Sequence, residues 1–189
     1  MAELLLFHHA QGLTEGVLGF AERLREAGHT VHTPDLYDGN TFADLEEGIG
    51  YAQRVGFGTL LTRGVAQADG LGNDLVYAGM SLGVMPAQQL AQQRPGARGA
   101  LFLHACLPTA EFGSWPDGLP AQVHGMDADP WFADEDLPSA QALVEGADQA
   151  ELFLYPGKEH LFTDSSLMSY VPEAATLLTQ RVLEFLAGR

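Results

Sequence analysis

The chain has 189 residues, 46% of them hydrophobic, enough to bury a real core within one domain over 1–189. Asp and Glu number 25 against 9 Lys and Arg, a formal net charge of −16, which disfavours nucleic acid and anionic membrane surfaces as partners. No apolar run is long enough to span a bilayer, Met1-Ala2-Glu3 lacks the basic start of a signal peptide, and the lone Cys106 rules out an internal disulfide and suits a reducing cytoplasm.

In chain order, Leu4 to His8 reads as a buried strand, continuous and apolar. After the loop His9-Ala10-Gln11-Gly12-Leu13, Thr14 is placed to cap a helix whose face is Val17, Phe20, Ala21 and Leu24, and Gly28 stops it. Thr30 to Thr33 is a second strand. A helix start at Thr41-Phe42-Ala43-Asp44 leads into a glycine-punctuated helical region reaching about Ala68. Leu75-Val76-Tyr77-Ala78 is a third strand, followed by a helix from Val84 to Gln93. Ala100 to His104 and Ala121 to His124 are the fourth and fifth strands, separated by a Pro/Gly/aromatic loop from Ala105 to Gly118. A helix over Pro138 to Gly146, a sixth strand over Glu151 to Tyr155 and a helix over Pro172 to Leu186 complete the chain. Short apolar strands alternating with helices predict a mostly parallel six-stranded sheet covered on both sides, a three-layer α/β/α fold.

The stretch Gly79-Met80-Ser81-Leu82-Gly83 joins the third strand to a helix through a sharp turn. Residues two before and two after the serine must be small for such a turn to close, and glycine occupies both places. The hydroxyl then stands clear of the backbone at a helix start, where free N–H groups gather. In a parallel sheet ligands sit beyond the strand carboxyl ends, and His8, His9, Ser81, His104, His124, Asp127, Asp129 and His160 all fall there on this reading. A serine needs a base, and histidine held by a carboxylate is the usual one. The order serine, acid, histidine after the third, fifth and sixth strands is met by Ser81, the Asp127/Asp129 pair and His160. Two aspartates two apart share a side in extended chain, so spacing leaves the acid open between them. Asp129 is favoured because it precedes Pro130 in a turn-forming pair.

The stretches FHHAQGL (7–13), HTPDLYDG (32–39), GMSLG (79–83), VHGMDADPWF (123–132) and YPGKEHLFTDSS (155–166) together resemble the dienelactone hydrolase family of α/β-hydrolases over nearly the whole chain. The resemblance implies a minimal α/β-hydrolase fold, a triad of Ser81, Asp129 and His160, and an oxyanion hole from the Leu82 N–H plus one N–H of the Ala10–Gln11 turn. It implies no cofactor. The best-known members carry cysteine where this chain has Ser81, so serine-esterase chemistry is expected. Members acting on carboxylated dienelactones grip the carboxylate with arginines, and neither Arg54 nor Arg63 is placed at the site by the sequence.

Phe112, Trp115, Trp131 and Phe162 lie in loops on the expected active edge, and serve either as walls of a substrate pocket or as loop anchors. The histidines lack metal-ligand spacing and are read as hydrogen-bonding groups. The expectation is a serine hydrolase of small neutral esters or lactones. A non-catalytic ligand-binding relative or an acyl or thioester transferase are the alternatives, and the oligomeric state is left open.

Overall fold

Parallel strands cannot be joined by tight hairpins, so each must be reached through a crossover, and the helices between strands supply these crossovers. The computed structural model describes residues 1–189. Strands β1 (Glu3–Phe7), β2 (Thr30–His32), β3 (Leu75–Met80), β4 (Gly99–Leu103), β5 (Ala121–Met126) and β6 (Ala150–Tyr155) form one sheet in the order β2-β1-β3-β4-β5-β6. Every neighbouring pair is parallel. The chain moves outward from β1 to β2, then returns to β3 on the other side of β1, so the topological switch lies between β1 and β3.

The helices are α1 (Glu15–Glu26), α2 (Leu45–Val55), α3 (Phe57–Ala66), α4 (Val84–Gln93), α5 (Leu137–Gly146) and α6 (Pro172–Ala187). Alternation along the strands divides the core in two. Leu4, Leu6, Val76, Ala78, Leu101 and Leu103 meet Phe20 and Leu24 of α1 and Leu178 and Val182 of α6. Leu5, Phe7, Tyr77, Phe102 and Val123 meet the opposite layer, which includes Ala52, Leu60, Ala87 and Leu143 from α2 to α5. Strands apolar at every position are therefore explained by burial on both faces. No helix is long and apolar enough to cross a membrane.

Local chemistry sets the helix starts. Thr14 accepts a hydrogen bond from the Val17 N–H, and Asp44 does the same for Glu47, each cap contributing about 1 kcal/mol. The expected helical region after β2 is two helices divided at Gly56. β5 runs two residues beyond the expected end at His124, which brings His124 inside the sheet. Beyond β5 a π-helical turn, Pro130–Asp136, precedes α5.

Candidate active site

Ser81 sits immediately after β3 with φ 48°, a left-handed conformation costing a non-glycine residue roughly 1–2 kcal/mol. Such strain persists only where the surroundings enforce it. Here they do: a Cβ on Gly79 would lie 2.3 Å from the Gly83 carbonyl oxygen, and one on Gly83 would lie 2.5 Å from that of Phe7. The turn is packed to its limit on both sides of the serine.

The Ser81 Oγ–H donates to His160 Nε2 at 2.9 Å, and the His160 Nδ1–H donates to Asp129 Oδ2 at 2.6 Å. An ionised carboxylate only accepts, so this contact puts the ring proton on Nδ1 and leaves Nε2 bare toward the serine. Asp129 is fully buried. Its other oxygen accepts from the Trp131 N–H at 3.0 Å, and buried Phe132 packs on Gly125 to pin the loop. Asp127 is exposed and accepts from the Gly157 N–H at 3.0 Å, bracing the loop before His160 rather than reaching the imidazole.

The cleft in front of Ser81 has a volume of about 270 Å³ and opens at the switch between β1 and β3. Its apolar wall includes Leu45, Ile49, Phe57, Met85 and Leu107, and its polar rim Glu135 and Asp136. None of the apolar five was singled out from the sequence; they come from α2, α3, α4 and the loop after β4, where a helical face gives no sign of which ligand it meets. Of the four aromatics read as pocket walls or loop anchors, Trp131 alone lines this cleft. Trp115 turns back to the core, edge-on to Phe102 with its indole N–H on the Leu119 carbonyl. Phe112 lies at the far end of α4, where its carbonyl accepts from Gln93. Phe162 is buried between Tyr155 and His104, beneath the histidine loop.

No arginine or lysine lines the cleft. Arg63 donates to the Leu36 carbonyl and to Asp38, Arg54 lies over the Tyr51 ring, and Lys158 is exposed and lines a neighbouring groove that shares Trp131 and His160 with the cleft. Burial raises the Asp136 carboxyl to about 6, against the opposing hydrogen bond from the Cys106 N–H at 3.2 Å. Burial likewise pushes the Cys106 thiol up to about 12.

Of the remaining histidines, His8 and His9 follow the carboxyl end of β1 and His104 that of β4, where it lines the cleft, whereas His124 lies within β5. His8 donates from Nδ1 to the His9 carbonyl and accepts the Leu36 N–H on Nε2, and burial lowers it to about 4. His124 faces α6 between Gln122 and Tyr155, and burial, with help from Arg181, lowers it to about 3. His104 bonds Thr163 at 2.8 Å, and its burial holds it well below the ordinary value. His9 contacts Asp164.

For the Ala10–Gln11 turn the structure separates the two residues. The Gln11 N–H is engaged by His9 Nδ1 at 3.2 Å, whereas the Ala10 N–H has no partner within the protein and Ala10 lines the cleft.

This sheet order with a serine at the switch is that of an α/β-hydrolase, and solved structures agree. A Klebsiella pneumoniae protein assigned as a dienelactone hydrolase superposes with a TM-score of 0.76 at 18% identity, covering 100% of this chain and 88% of its own. A dienelactone hydrolase-like promiscuous phosphotriesterase from metagenomic libraries gives 0.76 at 17% identity, with 100% and 86% covered. A Xanthomonas campestris protein assigned to the α/β hydrolase superfamily gives 0.62 at 19%, with both chains wholly covered. The chain belongs to the dienelactone hydrolase family, whose model matches residues 3–188. Membership and fold together support a hydrolase function. No curated protein sequence matches the chain.

Proposed function

We propose that the protein is a serine hydrolase of small uncharged carboxylic esters or lactones. The observation that carries this reading is the hydrogen-bonded line from Ser81 through His160 to a buried Asp129, at the mouth of a cleft without cations. As Ser81 Oγ bonds to the substrate carbonyl carbon, its proton passes to His160 Nε2, and the resulting imidazolium is stabilised by the Asp129 carboxylate. The carbonyl oxygen takes up the displaced electron pair and is held by the N–H groups of Ala10 and Leu82. The tetrahedral species expels the alkoxide, which takes the proton from His160, leaving an acyl-serine. Water then repeats the sequence with His160 as base, releasing the acid and restoring Ser81. For a lactone, both ester fragments remain on one molecule.

Substrate charge follows from the lining. A carboxylate brought beside Glu135 and Asp136 would lose hydration worth several kcal/mol with no cation to replace it. The carboxylated substrates of the resembled family therefore fit this cleft poorly. The direct test is a serine-directed fluorophosphonate: labelling at Ser81, together with turnover of a short neutral ester, is expected. A folded enzyme that neither labels nor turns over any ester or lactone would favour a ligand-binding role and overturn the reading.

A further inference from the structure

The geometry points to His9 and Asp164 as positioning residues that hold the Ala10 N–H ready for the oxyanion, an inference resting on the hydrolase reading above. Both side chains are completely buried, and the His9 Nε2–H donates to Asp164 Oδ2 at 2.7 Å. The same carboxylate accepts from the Thr14 hydroxyl, and from the Ser166 hydroxyl and N–H at 2.6 and 2.8 Å. Burial alone would raise Asp164, but the hydrogen bonds from His9, Ser166 and Thr14 outweigh it and bring the group to about 2. A carboxylate so held is acceptor-only, which puts the His9 proton on Nε2 and leaves Nδ1 bare.

That bare nitrogen faces the Gln11 N–H at 3.2 Å. A proton on Nδ1 would set two hydrogens against each other, so the tautomer chosen by Asp164 is the one that lets His9 hold the turn. The turn is closed further by the Gly12 N–H on the His9 carbonyl at 3.0 Å and by the Gln11 side-chain amide on the carbonyls of Phe42 and Ala43. With the Gln11 N–H committed, the N–H left free at the cleft is that of Ala10.

Asp164 also lies four residues after His160, with His104 bonded to the intervening Thr163. One carboxylate therefore anchors both the turn offering the oxyanion donor and the loop offering the base. Close approach is built in from the helix side: a Cβ on Gly16 would fall 1.6 Å from Asp164 Oδ1. His9 touches neither Ser81 nor His160 through a hydrogen bond, so it acts through the backbone.

The test is His9→Gln, whose amide can still donate to Asp164 but cannot also accept the Gln11 N–H. In an enzyme already shown to label at Ser81, kcat should fall about 10²-fold, the scale set by misplacing one oxyanion donor, with KM nearly unchanged. Affinity for a trifluoromethyl ketone should fall in parallel, and the pH–rate profile should keep its inflections, because His9 gives and takes no proton in any step of the reaction. Asp164→Asn, which retains an acceptor for His9, should lose less than Asp164→Ala, and these two variants carry the test if His9→Gln does not fold. Val182→Ala in the α6 core supplies a destabilised control with kcat preserved. A folded His9→Gln or Asp164→Ala enzyme within twofold of wild-type kcat would overturn the inference, as would an equal kcat loss in Val182→Ala. Failure of the wild-type enzyme to label at Ser81 would instead defeat the hydrolase reading.

Discussion

Two imidazole–carboxylate pairs lie at the carboxyl edge of the same sheet with nearly equal lengths, 2.6 Å for His160–Asp129 and 2.7 Å for His9–Asp164. In each, the carboxylate dictates which ring nitrogen carries the proton. The difference is what the other nitrogen meets. His160 Nε2 faces a serine hydroxyl at the cleft, and its side chain keeps 10% exposure; His9 Nδ1 faces a backbone N–H and its side chain keeps none. A base must be able to receive a proton from a reacting group, whereas a brace needs only a fixed donor. The contrast teaches that a buried His–Asp pair does not by itself mark a catalytic histidine; the group on its far side does.

The contrast breaks most sharply at Ser81. Ser81→Ala should abolish fluorophosphonate labelling and lower kcat by at least about 10⁴-fold while folding survives, since the Ser81 hydroxyl is the one hydrogen-bonded to His160 Nε2. Near-normal turnover by this variant would remove the distinction between the two pairs. Next in size is the acid. Asp129→Asn should cost about 10⁴ in kcat by disturbing the tautomer of His160. Asp127→Asn, at an exposed position that keeps an acceptor for Gly157, should stay within about twofold, with stability changed by no more than about 0.5 kcal/mol. The reverse ranking in steady-state kinetics would transfer the orienting role to Asp127.

Much of this arrangement is legible in the sequence. The glycines at 79 and 83 bracket a serine between a strand and a helix, and the strand ends place an acid and a histidine in order behind it. Local spacing has no means of deciding between Asp127 and Asp129; three-dimensional direction does, because β5 extends to Met126 and the π-helical turn aims Asp129 inward. The aromatic loop over Ala105 to Gly118 misleads for a related reason. A loop that long can return along the sheet, and Trp115 does so to reach Phe102. Nor can a pattern reveal the His9–Asp164 pair, whose members are 155 residues apart.

A smaller effect concerns the charge of the cleft beside His160. Replacing Glu135 and Asp136 by Gln and Asn should raise kcat/KM for a carboxylated ester relative to its neutral counterpart by up to about tenfold at low salt, fading as ionic strength rises. No change in that ratio would show that the two side chains do not set substrate charge.

The smallest expected effect is on stability with pH, and it separates the titrating groups by sign. His8, His104 and His124 are held neutral by burial, so below about 6.5 the unfolded chain binds protons that the folded one refuses. Stability is therefore lost as pH falls from about 6.5 toward 4. Asp136, raised to about 6, opposes this over the same range because its folded form takes up a proton first. Asp164, lowered to about 2, adds a loss only below about pH 4. With His29 also lowered, chiefly by burial, four histidines against one aspartate predict a Tm that falls on acidification from pH 7 to 4.5 at fixed ionic strength. A flat or rising Tm would mean that the histidines are not held neutral.

Cys106 has a different consequence. Its sulfur is fully buried, its thiol is pushed up to about 12, and its backbone N–H is tied to Asp136. Thiolate is the form that alkylating agents and peroxides attack, and at neutral pH this side chain scarcely supplies it. A chain whose proposed nucleophile is an alcohol and whose one thiol is sequestered should keep working where alkylating agents silence thiol-dependent hydrolases. Prolonged iodoacetamide at neutral pH should leave ester turnover intact, and intact-mass analysis should find Cys106 alkylated only after denaturation. In practical terms the protein can be handled beside thiol-alkylating reagents without any engineering of its cysteine content.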